Sequence, residues 1–264
     1  MIDRACISLN HRCNLHCRYC HFADKSDHRE QNAMEFCGSE AKAILDNIAT
    51  YCKQNGILVF KLGIVGAGEP LLSFTTLATI VNHARAVGNT LFKMYTITNG
   101  IDVTEEQLGF FKENRDIITL NFSLDGYEEL HNVYRQKFRT TMESIHRYEH
   151  VFGHKPIINC TVTKPSIINK NKLIPFFVDN HFTHINFSIA FGVSDDRVSV
   201  FQDEYSAFLD DCDAAGLTMR QRNKTDTQIH DCAMYGRRCG VGRTNVFFAR
   251  DGVYPCGRFF KLKQ

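Results

Sequence analysis

The sequence predicts an α/β fold: a parallel sheet that is closed or only partly closed as a six-stranded barrel. Six short apolar runs of strand type alternate with segments whose apolar residues recur at helical spacing. This alternation is typical of parallel sheets with right-handed crossovers. The unusual loops of the chain all follow predicted strands, at the edge where α/β folds place their chemistry. Because two strand–helix units are missing from a full set of eight, the barrel is expected to be open.

The predicted elements begin with a strand at 4–9, which leads directly into a cysteine-rich loop. The later strands are predicted at 57–65, 91–98, 117–124, 157–163 and 184–190. The helices between them are predicted at 34–54, 71–87, 104–112, 140–152 and 169–180. Local signals support two of the boundaries. Asn55-Gly56 stops the first helix, and Thr104 with Gln107 three places later forms a capping box.

Polar and apolar residues alternate along the fifth predicted strand. Asn159, Thr161 and Thr163 share one face and Cys160 lies on the other, because successive side chains of a strand point to opposite faces. The polar face is predicted to look into the barrel, with Cys160 under the helices. Other cysteines that lie in strand or helix patterns are also predicted to be core residues, namely Cys6, Cys37 and Cys52.

The pattern changes after about residue 200, which divides the chain into predicted domains at 1–200 and 201–264. A helix is predicted at 201–214, followed by a polar segment at 220–228. Two apolar runs within 245–256 flank Asp251-Gly252, a strong two-residue turn signal, and they predict a hairpin. The second domain is therefore small and carries its own cysteines.

Composition limits the cellular location and the classes of binding partner that are expected for the protein. The net charge of the 264 residues is +2 at pH 7, which gives no general signal for nucleic acid or for a membrane surface. No apolar run approaches the roughly 18 residues that span a bilayer, and the amino terminus lacks the apolar centre of a signal peptide. A cytoplasmic protein without nucleic-acid or membrane partners is expected.

Eleven cysteines are many for this length and indicate either disulfides or metal. An odd total and a reducing cytosol disfavour disulfides, and the close spacing of Cys13, Cys17 and Cys20 suits a metal. Zinc is one possibility, and an iron–sulfur cluster is the other, since three thiolates on four irons leave one iron open to a ligand. The histidines that would complete a zinc site are His11, His16 and His21.

The spacing C-x-x-x-C-x-aromatic-C after the first strand resembles that of the radical S-adenosylmethionine (SAM) enzymes, and the resemblance extends over roughly residues 4–190. It implies a partial (β/α)6 radical SAM barrel. It also implies that Cys13, Cys17 and Cys20 hold a [4Fe-4S] cluster whose fourth iron chelates the amino and carboxylate groups of SAM. One electron from the cluster would then cleave SAM to a 5′-deoxyadenosyl radical.

Other loops are similar to those of this family. The sequence Ala67-Gly68-Glu69-Pro70 is similar to the family's Gly-Gly-Glu-Pro, whose backbone groups receive the methionine ammonium. Alanine in place of the first glycine requires that no positive φ be needed at that position. The aromatic residue before the last cysteine resembles the one that lies beside the adenine. In this part of the chain the resemblance implies cofactor contacts at Tyr19, Ala67, Gly68, Glu69, Pro70, Thr98 and Asn99.

The SLDG sequence at 123–126 and the HNVYR sequence at 131–135 resemble a stretch of the subfamily that carries additional clusters. The resemblance implies that Ser123 and Asp125 lie near the ribose of SAM and that Arg135 lies near its carboxylate. Asn132 replaces the more usual aspartate of this stretch.

The C-terminal cysteines resemble the auxiliary-cluster domain called SPASM, or twitch when it is shortened. The resemblance depends on a CGVG sequence at 239–242, the Asp-Gly hairpin and a YPC sequence at 254–256. Because the chain ends eight residues after Cys256, at most one auxiliary [4Fe-4S] cluster is expected. Alternatives are a zinc knuckle, or a free Cys232 or Cys212 that donates a hydrogen atom to a substrate radical. The candidate ligands are Cys212, Cys232, Cys239 and Cys256.

The resemblance implies an enzyme that modifies a ribosomally made peptide, by cross-linking it or by inverting a stereocentre. A one-electron donor such as flavodoxin or ferredoxin is an expected partner. Because the first strand starts at residue 4, leader recognition is expected to require a separate recognition protein or direct strand pairing of the peptide, unless the substrate is leaderless. The alternatives are a radical SAM dehydrogenase acting on a small molecule, and a zinc or iron–sulfur module without enzymatic activity.

Overall fold

The computed structural model describes residues 1–20, 22, 34–88, 91–190, 202–219 and 242–257. Within these residues one nine-stranded sheet forms the centre of the fold. Its strands are β1 (Arg4–Ile7), β2 (Phe60–Ile64), β3 (Phe92–Thr98), β4 (Ile118–Ser123), β5 (Ile158–Val162), β6 (His184–Ile189), β7 (Thr218–Met219), β8 (Asn245–Ala249) and β9 (Gly252–Tyr254).

The strand order is β7-β6-β5-β4-β3-β2-β1-β8-β9, and every neighbouring pair is parallel except β8 and β9. The six predicted strands are β1 to β6, and they lie side by side in chain order. The predicted fold class, a mostly parallel α/β sheet forming an open partial barrel, is confirmed. The carboxyl ends of β1 to β6 therefore meet at one edge of the sheet.

Helices connect the parallel strands, as right-handed crossovers require. They are α1 (Gly38–Asn55), α2 (Phe74–Gly88), α3 (Glu105–Glu113), α4 (Glu128–Tyr134), α5 (Phe138–Phe152), α6 (Lys164–Ile168), α7 (Lys170–Asp179) and α8 (Gln202–Ala214), with a 3₁₀ turn at Pro70–Ser73. The capping box predicted at Thr104 and Gln107 is present, and Gly56 ends α1 in the left-handed region. The short helices α4 and α6 were missed, because each is only about two turns long or less.

One face of the sheet packs against the helices and forms the core. Ile158, Cys160 and Val162 of β5 are buried there, whereas Asn159 and Thr161 are half-buried on the opposite face. The prediction for Cys160 is thus confirmed, and Cys52 is buried as well. We refer to the face opposite the helices as the inner face of the sheet.

Two predicted core cysteines lie elsewhere. Cys37 is exposed, because helix α1 begins one residue later and places it at the helix N-cap. Cys6 is half-buried, and its sulfur lies 3.7 Å from the Tyr95 hydroxyl of β3. The core prediction was wrong for Cys37, since a cap position faces solvent. Among the described residues, no helix is long and apolar enough to cross a membrane.

The predicted hairpin at the end of the chain is present, but its two-residue turn is Arg250-Asp251, one residue earlier than the predicted Asp251-Gly252, because Gly252 pairs with Ala249 as the first residue of β9. Its first strand, β8, pairs in parallel with β1, with Cys6 opposite Phe247. The hairpin consequently extends the sheet of the barrel beside the strand that precedes the cysteine loop. A domain boundary near residue 200 stays a prediction.

Candidate functional site

The loop after β1 places three cysteines at the carboxyl edge of the sheet. Cys13 is exposed, Cys17 and Cys20 are half-buried, and all three are free thiols. The backbone N–H of Cys20 donates to the carbonyl of Cys17 at 3.0 Å, which turns the loop back on itself. Burial, with the nearby Asp125 and the other two cysteines, raises the pKa of Cys17 to about 11. A metal would supply the positive charge that these thiols need to ionise.

Tyr19, between the last two cysteines, is anchored to the barrel by Asp125. The buried Tyr19 hydroxyl donates to the Asp125 carboxylate, which lies just beyond the end of β4. Burial raises the pKa of Tyr19, so the phenol stays neutral and remains a donor. The guanidinium of Arg135 lies 5.5 Å from the centre of the Tyr19 ring, within cation–π range. The cysteine loop is thereby fixed against α4.

Asp125 is a buried acceptor for three different parts of the chain. Arg135 Nε donates to Asp125 Oδ2 at 3.2 Å, and the backbone N–H of Thr161 donates to Oδ1 at 2.9 Å. Together with Tyr19, these bonds join the cysteine loop, β4, the end of α4 and β5. Charge-assisted bonds in a buried site are strong and directional. Direct contacts of Asp125 and Arg135 with SAM stay predictions.

His131 holds the backbone of Asp125 in place. Its Nδ1 accepts from the Asp125 N–H at 3.3 Å, and its Nε2 lies 3.0 Å from the Gln136 carbonyl. This arrangement requires the neutral tautomer with a proton on Nε2. Burial lowers the pKa of His131 to about 4. Asn132 accepts from the N–H of Phe138 at 3.1 Å, a bond that an aspartate would make equally well.

The loop after β2 supplies a second buried carboxylate. Glu69 Oε2 accepts from the Asn99 N–H at 2.8 Å, and Oε1 accepts from the Leu71 N–H at 3.2 Å. Burial raises the pKa of Glu69. The positive φ of this loop, +86°, is at Gly68, and Ala67 lies outside the left-handed region, as the sequence predicts. Pro70 begins the 3₁₀ turn that follows.

Gly68 is close to the cysteine loop. A Cβ at this position would lie 2.2 Å from Asn10 Oδ1 and 2.6 Å from the carbonyl of Arg12. The N–H of Glu69 donates to that same Arg12 carbonyl at 2.7 Å. The loops after β1 and β2 therefore touch backbone to backbone, one residue before Cys13.

Sequence reasoning missed three polar residues that join these loops. The side-chain amide of Asn10 donates to the Glu69 carbonyl at 3.1 Å, and the Ser8 hydroxyl donates to the Ala67 carbonyl at 3.1 Å. Asn14, within the cysteine loop, accepts from the Asn99 side-chain amide at 2.7 Å. The sequence feature that could have indicated these residues is the run of polar residues directly after the buried strand β1.

The remaining residues predicted to contact SAM lie after β3, beside the cysteine loop, and at the end of β4. Thr98 is buried, and its hydroxyl accepts from the N–H of Gly100 at 3.1 Å, closing the turn after β3. The side-chain amide of Asn99 lies 3.8 Å from the sulfur of Cys13. Ser123 ends β4 opposite Asn159 of β5. Thus Asn99 lies beside the candidate cluster and Ser123 lies at the edge of the inner face.

Three thiols are a donor set that an iron–sulfur cluster takes, and His21, one of the histidines considered for zinc, lies outside the described residues. Among the described residues, no three His, Cys, Asp or Glu side chains converge on one metal position. A [4Fe-4S] cluster takes each thiolate on a different iron, so its ligands stand further apart than those of one tetrahedral zinc. Three thiols on one turn with an amide donor nearby suit this requirement.

Residues 7–189 match the radical SAM superfamily. The chain belongs to this superfamily. Membership implies SAM as a cofactor and a [4Fe-4S] cluster, and Cys13, Cys17 and Cys20 are the residues that would hold that cluster.

Curated relatives of this radical SAM protein mature sulfatases. It is 25% identical over 188 residues to a cysteine-type anaerobic sulfatase-maturating enzyme of Clostridium novyi, which covers 66% of this chain and 47% of the relative. A serine-type enzyme of Bacteroides thetaiotaomicron is 29% identical over 127 residues, 47% of this chain and 29% of the relative. The chain spans about half the length of the Clostridium novyi enzyme, and its match covers 29% of the Bacteroides thetaiotaomicron enzyme.

Solved structures share the fold. The structure of anSMEcpe with bound AdoMet (SAM) superposes with a TM-score of 0.71 at 18% identity, covering 98% of this chain and 75% of that one. Streptococcus suis SuiB bound to its precursor peptide SuiA superposes with a TM-score of 0.71 at 16% identity, covering 100% of this chain and 61% of that one. The described part of the chain therefore shares its fold with these two structures.

The C-terminal cysteines divide into three groups. Cys212 is fully buried in the apolar core on α8, and burial raises its pKa to about 12. Cys256 is half-buried just after β9. Cys232 and Cys239 lie outside the described residues. The surroundings of Cys212 favour a packing role, because a buried thiol in apolar surroundings resists ionisation.

Proposed function

We propose that this radical SAM enzyme modifies a peptide or protein by removing a hydrogen atom from one of its residues, which leads to a cross-link or to epimerisation. The supporting observation is the anchored cysteine loop at the mouth of an open barrel, in a chain related to sulfatase-maturating enzymes and similar in fold to a protein bound to its precursor peptide. The inner face of β5 is polar, and Asn159 and Thr161 on it are half-buried. That geometry admits an extended substrate.

The residues of the chain have separate roles in this proposal. Cys13, Cys17 and Cys20 hold the cluster, and the Gly68–Glu69 loop receives the methionine ammonium of SAM. When bound, the cluster and SAM supply the 5′-deoxyadenosyl radical. Asp125 fixes the cysteine loop through Tyr19 and keeps the charge of Arg135 in place. These contacts preserve the distance between the cluster and the inner face, where a substrate would lie.

The test combines two measurements on protein reconstituted with iron and sulfide without oxygen. The reduced enzyme should convert SAM to 5′-deoxyadenosine. It should also change the mass of members of a random peptide library that contains cysteine and serine. A loss of two hydrogens indicates oxidation or cross-linking, whereas deuterium from solvent at an α-carbon indicates epimerisation. Formation of 5′-deoxyadenosine without any peptide product would contradict the peptide proposal.

We also propose a single auxiliary cluster held by Cys256 together with Cys232 and Cys239. Cys256 follows β9, which joins the sheet through β8 at the end next to β1, and the CGVG and YPC sequences around Cys239 and Cys256 support this proposal. Iron counting in a variant with alanine at positions 13, 17 and 20 tests it. Retention of about four irons per chain supports the cluster, whereas an iron-free variant excludes it.

The partners proposed with this function are a substrate peptide and a one-electron donor of the flavodoxin or ferredoxin type. A cluster near the protein surface accepts electrons most readily, and Cys13 is exposed. Purified flavodoxin with its reductase should therefore replace dithionite in the assay. No turnover with either flavodoxin or ferredoxin would reject this class of donor.

A further inference from the structure

Asn121 on β4 is a buried amide with an unsatisfied oxygen. Its neighbours Leu120 and Phe122 belong to the core, and the Phe122 ring lies 5.6 Å from the Tyr148 ring of α5. Alternation along the strand therefore places Asn121 on the inner face. Only 5% of the residue is exposed, and its Oδ1 has no hydrogen-bond partner within the described part of the chain. Such an atom costs about 1–3 kcal/mol unless a ligand satisfies it.

Two more amides lie on the same face, closer to the carboxyl edge. Asn159 of β5 is opposite Ser123 of β4 and also opposite Asn186 of β6. The side-chain amide of Asn186 donates to Asn159 Oδ1 at 3.3 Å. We name Asn121, Asn159 and Asn186 the amide strip. It crosses three neighbouring strands on the inner face, with Asn159 and Asn186 level with Ser123, which is predicted to lie near the ribose of SAM, and Asn121 two residues before Ser123 on β4.

We infer that the amide strip binds backbone peptide groups of the substrate, an inference that rests on the proposed function. A side-chain amide offers both an acceptor and donors, so it matches the N–H and the C=O of a peptide group. The strip itself is uncharged, and the nearby guanidinium of Arg135 is paired with Asp125. A neutral peptide group therefore fits better than a phosphate or a carboxylate, which would require a free positive charge.

The binding mode explains how one enzyme would hold different side chains near the radical. Backbone groups are common to all peptides. The amide strip would therefore fix how far the substrate enters the barrel, whatever the amino-acid sequence of the substrate. Specificity for the modified residue would then depend on the position of that residue along the bound strand. Asn121 has the largest role, because within the amide strip its oxygen is the buried atom that has no partner among the described residues.

The experiment compares two probes on the holoenzyme loaded with its cluster and SAM. One probe is N-acetyl-alanyl-alanine N-methylamide, and the other has an ester in place of the central amide and so lacks that N–H. Ligand-observed saturation-transfer NMR gives the Kd of each. We expect the wild type to bind the amide about tenfold more tightly than the ester, as one satisfied hydrogen bond predicts. In Asn121→Leu the ratio should fall to about one.

Asn121→Ala removes the acceptor oxygen without adding a bulkier apolar group and serves if the leucine variant fails to fold; it should also lose the preference for the amide. The matched control is Thr119→Val, two residues earlier on the same face of β4, and it should keep the wild-type ratio. Unchanged cluster absorption confirms that each variant is loaded.

Equal Kd values for the two probes in the wild type, or an unchanged ratio in a folded Asn121 variant, overturn the inference. A weaker Kd for SAM with an unchanged probe ratio assigns Asn121 to the cofactor and also overturns it. Failure of the proposed function has a different signature: the amide preference persists, while no library peptide changes mass.

Discussion

The loops after β1 to β4 and the inner face of β4 to β6 satisfy their polar groups in opposite ways. In the loops, the buried Glu69 and Asp125 carboxylates accept hydrogen bonds from other segments of the protein. On the inner face, the Asn121 oxygen has no partner among the described residues. The contrast is limited to the two carboxylates and the Asn121 oxygen, because Asn159 and Asn186 bond to each other and Arg12 Nε, in the loop after β1, also has no partner among the described residues.

The loops that would hold the cofactor and the inner face that would bind the substrate serve different steps of a radical reaction. A cluster must be held rigidly, because reactive distances depend on small displacements of its loop. A substrate must enter and leave, so its contacts are formed only when it binds. The following predictions test whether the rigidity of the first region depends on the contacts named above.

The largest expected effect is that of Cys13→Ala, which removes one ligand of the cluster. The variant should lose 5′-deoxyadenosine formation, and its iron content should fall by about four per chain. Iron analysis and chromatography of the SAM products measure both. The matched control is Cys37→Ala, since Cys37 is an exposed free thiol outside the loop. Activity retained by the Cys13 variant would remove the cysteine loop from the radical chemistry.

Asp125→Asn breaks the contact that joins the loop to the barrel. It leaves the buried Arg135 without its charged partner, which should lower the free energy of unfolding by about 3–5 kcal/mol. Denaturant unfolding measures the loss, and reconstitution should yield less cluster. Glu128→Gln is the control, because Glu128 pairs with Arg139, whose side chain is 81% exposed, and exposed pairs contribute under about 1 kcal/mol. Equal stability of the two variants would refute the anchoring role.

Gly68→Ala tests the close approach of the loops after β1 and β2. The new Cβ would meet the carbonyl of Arg12 at 2.6 Å in a backbone with φ of +86°. We expect a loss of at least about 1 kcal/mol and weaker SAM binding. At Gly109, inside α3, a Cβ meets nothing within 4 Å. Gly109→Ala should instead raise stability by about 0.5–1 kcal/mol, and a similar gain at Gly68 would be inconsistent with the tight contact.

The smallest effect is a pH dependence that comes from His131. Its pKa is about 4 in the fold and about 6.5 in an unfolded chain, so the unfolded state binds more protons between these values. Its contribution to stability is complete above pH 6.5 and falls as the pH drops toward 4. At pH 5.5 the loss should be about 1.4 kcal/mol. Denaturant unfolding of His131→Gln between pH 7 and 5.5 should not show this loss of unfolding free energy. An equal dependence of the unfolding free energy on pH in the variant and the wild type would contradict the prediction.

Local signals predicted what lies within a few residues along the chain. The Thr104 capping box, the C-terminal hairpin, whose turn was placed one residue too late, and the absence of a positive φ at Ala67 all depend on short-range geometry. Periodicity likewise predicted six strands in the right order. The exposure of Cys37 was missed, because a shift of a few residues in a helix start changes whether a side chain is buried.

The sequence by itself determined the parallel fold, the cysteine loop and the class of chemistry, because strand and helix periodicity and cysteine spacing are local properties. Only the tertiary structure decided that Tyr19 contacts Asp125, 106 residues away, that β8 lies beside β1, and that the oxygen of Asn121 has no partner among the described residues. Sheet register and loop packing set these relations. Both join segments far apart in the chain, and no local pattern specifies which buried polar atoms will meet.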